Sequence, residues 1–274
     1  MGSYSVMATP TPTLSAAYTK LGHGKKHLDT LWSEIVPFLK AYGAPVADER
    51  DGTSIKVKAP VLPAIPEHFS LILGDAVQNM RAALDYLVYQ LAKLDDPGVD
   101  HEKITMFPVF SDPGEFQRNG VRRIKMLSPG HQARIEALQP YQRGNRAARH
   151  PLARLIDLSD RDKHRLLVAT AHRTLGRPTP VVNQLPGGLI EYVFDFDPLE
   201  EKAKLGIPVN LPVEVEAHLV IAVTLDDGTR LRKLRHIGRI VNLILDSFDP
   251  DFPTAAAPAA PVSATDWFYG LRPV

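Results

Sequence analysis

Between Pro66 and Leu94 the apolar residues Phe69, Leu73, Val77, Met80, Leu84, Leu87, Val88 and Leu91 recur at helical intervals. They lay one unbroken apolar stripe along a helix of about eight turns. A stripe of that length is buried only if several other elements cover it, so the rest of the chain has to supply partners. Its other face carries Asp75, Gln78, Asn79, Asp85, Tyr86 and Tyr89.

Further helices are written in the same period. Leu14, Tyr18, Leu21, Leu28, Leu31, Ile35 and Leu39 predict a helix over 14–42, loosened by Gly22 and Gly24. Ser128-Pro129 supplies a cap and a first-turn proline for a helix over 129–139, which Pro140 stops. Leu152, Leu155, Ile156 and Leu158 mark a helix over 151–164, and Leu231, Leu234, Ile237, Val241, Ile244, Leu245 and Phe248 a final amphipathic one over 231–248.

Three other stretches, Leu166–Ala171, Leu189–Phe196 and Val213–Val223, are rich in β-branched and aromatic residues and read as antiparallel strands, as does the short alternation at Ile55 and Val57. The expected class is therefore α+β, with a four-helix portion, an antiparallel β-sheet and a C-terminal amphipathic helix. It is expected as one domain over 14–252: helix-rich over 14–165, strand-rich over 166–228, with the final helix at 231–248. An Ala/Pro linker follows at 253–265, then an aromatic tail at 266–274.

With 32 Lys and Arg against 31 Asp and Glu, no global field draws this 274-residue chain onto a polyanion, and any such binding has to rest on a local patch. Cysteine is absent, which excludes disulfides, thiolate zinc sites and a catalytic thiol. Met1 to Ser15 do not read as a secretory signal, and no apolar run approaches the ~20 residues of a membrane span. A cytoplasmic location without membrane partners is expected. Serine-hydrolase elbows, P-loops, dinucleotide-binding glycine motifs and H-E-x-x-H are all missing, and no cofactor is implied.

Four polar groupings remain. His23 and His27 share a helix face without a third metal ligand nearby, so no metal set is assigned. Asp75, Asn79 and Tyr86 form a narrow stripe on the long helix, beside an Arg81–Asp85 pair at i, i+4; this is either a binding site or the solvated face of an amphipathic helix. In the run Asp160-Arg161-Asp162-Lys163-His164-Arg165, Asp160 can orient His164 as a general base and Arg165 can hold a phosphate, or the basic residues simply meet the helix dipole. Arg232, Arg235 and Arg239 share one face of the final helix and suit either phosphates or water.

The run Gly74-Asp75-Ala76-Val77-Gln78-Asn79-Met80-Arg81-Ala82-Ala83-Leu84-Asp85, followed by Phe107-Pro108, Gln139-Pro140-Tyr141 and Asp162-Lys163-His164-Arg165, resembles a group of uncharacterised bacterial proteins that carry these signatures in this order. The helical portion resembles, more distantly, the HEPN superfamily, whose four-helix domains often act as metal-independent ribonucleases. The resemblance implies an RNA-directed protein in which an arginine and a following histidine act together. That pattern occurs at Arg143/His150, Arg165/His172 and Arg230/His236, and the resemblance implies those roles for Arg143 and His150, which lie between two helical segments. A histidine would take the 2′-hydroxyl proton and an arginine would stabilise the phosphorane. The alternative is a non-enzymatic module that binds a small ligand or a protein. The adjacent aromatics Trp267, Phe268 and Tyr269 are expected to dock on their own domain or on a partner subunit, the other reading being a disordered end.

Overall fold

The computed structural model describes residues 11–42, 65–97, 106–164, 167 and 231–253, together with the backbone of strand segments between 48 and 58 and between 169 and 225. The chain divides into two compact units. The first comprises Met1–Leu31, Glu67–Val168 and Leu231–Val274; the second comprises Trp32–Pro66 and Ala169–Arg230. The aromatic tail and its linker lie outside the described residues.

The first unit is a helical assembly. α1 (Ser15–Tyr42), which belongs to this unit as far as Leu31, and α2 (Glu67–Asp95) are the longest helices. A short α3 (Pro113–Glu115) runs through a π-turn (Phe116–Gly120) into α4 (Val121–Ile124), followed by α5 (Pro129–Ala137). A 3₁₀ helix (Pro140–Arg149) leads into α6 (Pro151–His164), and α7 (Leu231–Phe248) completes the unit.

Local chemistry explains the boundaries. Asp112 caps α3 by accepting from the Glu115 N–H at 2.8 Å, with Pro113 in the first turn. Ser128 does the same for α5 through the His131 N–H at 3.4 Å, with Pro129 following. Each cap satisfies a donor that the helix itself cannot pair, and each proline occupies a position where no N–H is required. Glu67 in the first turn of α2 and Lys93 in its last complement the helix dipole.

α2 is the axis of the unit and packs on α6 and α7, which also pack on each other. Leu73, Ala76, Val77, Met80, Ala83, Leu84, Leu87, Val88, Leu91 and Ala92 are all fully buried, so apolar surface wraps well beyond the single stripe. α1 crosses α2 at Gly24, where an added Cβ would stand 3.0 Å from the Ala76 carbonyl oxygen. α1 is also tied to α7 by the Tyr18 hydroxyl, which donates to Asp246 at 2.9 Å, and by Asp29, which pairs with Arg235 at 2.8 Å.

The expected α+β class, with helices backed by an antiparallel sheet, is corrected. Of the residues whose side chains are described, 83% are helical and none is in a strand. The physical reason is that α6 and α7 pack on α2 and α1 meets it at Gly24, leaving its apolar residues buried without a sheet layer. Strand-like composition at 169–225 produces short antiparallel backbone ladders in the second unit, such as Ala169–Leu175 with Leu219–Leu225.

Candidate functional site

The stripe of α2 that turns toward its neighbours is Gln78, Arg81 and Asp85, spaced i, i+3, i+7 along one face. The Gln78 Nε2 donates to the Ser159 carbonyl and to Asp162 Oδ2, both at 3.0 Å, and the Ser159 Oγ donates back to Gln78 Oε1 at 3.1 Å. Gly74 makes room for this contact: a Cβ there would run into the Asp162 carboxylate.

One turn further, the Arg81 Nη2 donates to the Phe107 carbonyl at 2.8 Å and pairs with Asp85 at 2.9 Å. Asp85 in turn accepts the Phe107 N–H at 2.8 Å. Arg81 and Asp85 therefore grip the backbone of Phe107 from both sides. Gln139 extends the grip, donating to the Pro108 carbonyl at 2.9 Å and accepting from the Phe110 N–H at 3.0 Å. Burial pushes the Asp85 carboxyl above the usual carboxylate range, opposed by Arg81, the Phe107 N–H and the charges of Lys163 and Arg123. Burial likewise lowers Arg81 from its ordinary value, while Asp85 and Asp160 oppose that shift and Arg123 adds to it.

The two polar clusters do meet, through residues other than those expected. Gln78 and Asp162 make the junction, whereas Asp75 is exposed and the Asn79 Nδ2 donates to the Asp75 carbonyl of its own helix at 2.8 Å. Asn79 thus satisfies its amide locally, as Asn does when placed within a helix. The Asp160 carboxylate pairs with Lys163 at 3.1 Å instead of orienting His164, and both Asp160 and His164 are exposed. Arg165 lies outside the described residues. On α7, Arg232 is exposed and Arg239 half-buried, while Arg235 is buried against Asp29. The three arginines accordingly do not form one solvated cationic row. His23 and His27 stand on α1, and no group of three or more metal-ligating side chains occurs among the described residues.

His150 stands at the corner between the 3₁₀ helix and α6, where the charge of Arg143 acts on its ring. The His150 Nδ1 accepts the Leu152 N–H at 3.2 Å, capping α6 ahead of Pro151. That bond fixes the neutral tautomer with its proton on Nε2. Burial, and then the charge of Arg143, lower the His150 pKa, so the ring is neutral at pH 7. Arg143 itself is exposed at the side of a kink at Gly144, whose φ is +53°.

Protein-family models, curated proteins and solved structures give no match to this chain. No helix among the described residues is long and apolar enough to cross a membrane.

Sequence reasoning passed over two features. Gln78, Gln139 and Asp162 are hydrogen-bonding centres that it named without giving them that role, and for Gln78 the signal was the i, i+4, i+7, i+11 spacing of Gly74, Gln78, Arg81 and Asp85. The second is charge density: residues 116–154 contain nine Lys and Arg against the single acid Glu136. A count over the whole chain hides this segment, and a sliding window finds it.

Proposed function

We propose that this chain is a cytoplasmic, HEPN-like RNA-directed protein that holds a phosphate of RNA at the Arg143–His150 corner. The observation that carries the reading is that the His150 Nδ1 is held as an acceptor by the Leu152 N–H, which leaves Nε2–H as a donor, with the exposed Arg143 guanidinium on the preceding 3₁₀ helix. A guanidinium and a neutral N–H donor can both bond to phosphate oxygens, and neither has to be deprotonated to do so.

The same geometry bears on cleavage. Taking a 2′-hydroxyl proton requires an unprotonated ring nitrogen, and at His150 that nitrogen caps α6. Using Nε2 as the base would move the proton to Nδ1 and release the cap. The expected behaviour is therefore binding without efficient turnover. Full-length protein should bind a 12-nucleotide single-stranded RNA in EDTA and leave it intact over hours, and Arg143→Ala should weaken binding several-fold. Absence of binding would overturn the proposal. Cleavage that survives EDTA and disappears in His150→Ala would replace it with the metal-independent ribonuclease reading.

A further inference from the structure

We infer that α3–α4 and the 3₁₀ helix together form a track for the phosphate backbone of single-stranded RNA, leading away from the Arg143–His150 corner. The inference rests on the RNA-directed reading and deepens it by giving the strand a path.

The two segments are neighbours. The Tyr141 ring packs on Phe116 with centroids 5.7 Å apart, and the Tyr141 N–H donates to the Phe110 carbonyl at 3.4 Å. On the first segment Arg118, Arg122 and Lys125 are exposed at i, i+4, i+7, which keeps them near one face. On the second, Arg146 and Arg149 are exposed at i, i+3, beyond the kink at Gly144. In a 3₁₀ helix residues three apart eclipse one another with a separation of about 6 Å along the axis. That is close to the spacing of successive phosphates on one strand.

These charges are available. None of the five is in an ion pair among the described residues. Glu136, on α5 between the two segments, accepts from the Tyr141 hydroxyl at 2.9 Å and the Gln117 amide at 3.2 Å. Arg134 is taken up elsewhere, stacked on Phe248 at 3.9 Å and paired with Asp251. Asp112 and Glu115 stand exposed at the start of the first segment, and beyond them the excess is cationic along Arg118–Lys125 and Arg146–Arg149, in a chain whose total charge is +1.

Two observations favour RNA over an anionic membrane. Among the described residues the exposed large apolar side chains are Leu71, Tyr86, Met106 and Leu243, so none of these lies on the track to enter a bilayer. Exposed amides of Asn119 and Asn145 stand among the cations, suited to bonding phosphate and 2′-hydroxyl oxygens.

The test is fluorescence anisotropy of a labelled 12-nucleotide single-stranded RNA with the full chain over a salt series. Five track cations and Arg143 imply a slope of log affinity against log salt of about −4. A triple variant (Arg118→Gln, Arg122→Gln, Lys125→Gln) and a double variant (Arg146→Gln, Arg149→Gln) should each lower affinity at least ten-fold at 100 mM salt and flatten the slope by about 2 and about 1.4. Melting temperatures should stay within about 2 °C, since the replaced side chains are exposed. Binding that depends on Arg143 but not on either variant would overturn the track and leave the corner standing. Binding lost in the track variants but unaffected by Arg143→Ala would support the track and remove the corner. Capture by phosphatidylserine vesicles with no measurable RNA binding would overturn the inference in favour of a membrane surface.

Discussion

At His150 the ring nitrogen that accepts the Leu152 N–H is the one a second proton would occupy. Burial and Arg143 hold its pKa below the ordinary value near 6.5. Between that lowered value and about 6.5 the unfolded chain binds a proton that the folded chain does not, so the stability due to the neutral ring is present above pH ~6.5 and is lost as pH falls through the folded value. His150→Asn keeps a good cap and removes the titration. Its melting temperature should fall less than that of the unsubstituted protein between pH 7 and pH 5, whereas His150→Ala should cost about 1 kcal/mol at pH 7. Equal acid sensitivity in His150→Asn would show that other groups govern this range. At this scale, residue type and spacing were informative about Arg81 and Asp85, which do pair at 2.9 Å. They did not reveal that this pair secures the backbone of Phe107, because a partner 22 residues away leaves no local periodic mark.

For helices, close approach is decided by what is missing. Alanine is ordinarily favoured over glycine within a helix by about 1 kcal/mol, yet α2 has Gly74 where α6 presents Asp162. Gly74→Ala should destabilise the protein by about 1–2 kcal/mol, because the methyl displaces the carboxylate that Gln78 bonds and overpacks the contact. Placed in an Asp162→Ala background, the same change should be neutral or stabilising. Denaturant unfolding of the four proteins measures the coupling, and additive effects would mean the two residues are not in contact. The glycine in the Gly74-Asp75 signature is therefore a packing residue, and the acid three turns later in the run is a scaffold group as well.

Across the molecule, the two compact units predict two cooperative steps of unfolding in calorimetry. Asp85→Ala leaves the Arg81 charge buried and the Phe107 N–H unpaired, so it should lower the transition of the helical unit by about 2–4 kcal/mol and leave the other in place. A single transition that shifts as a whole would show that the units unfold together. The sequence by itself determined the longer helices: α6 and α7 span the residues expected of them, and α2 and α5 differ only at their ends, whereas α3, α4 and the 3₁₀ helix carry no apolar period and were not expected. Their apolar period, capping residues and prolines act within one or two turns, and that information is local. Tertiary structure alone decided the class and the site. Whether a strand-like segment joins a helical core depends on how much apolar surface the helices leave uncovered. Whether Gln78, Arg235 or Arg146 meets another helix or water depends on neighbours brought in from far along the chain, since burial and hydrogen-bond partners are set by three-dimensional contact.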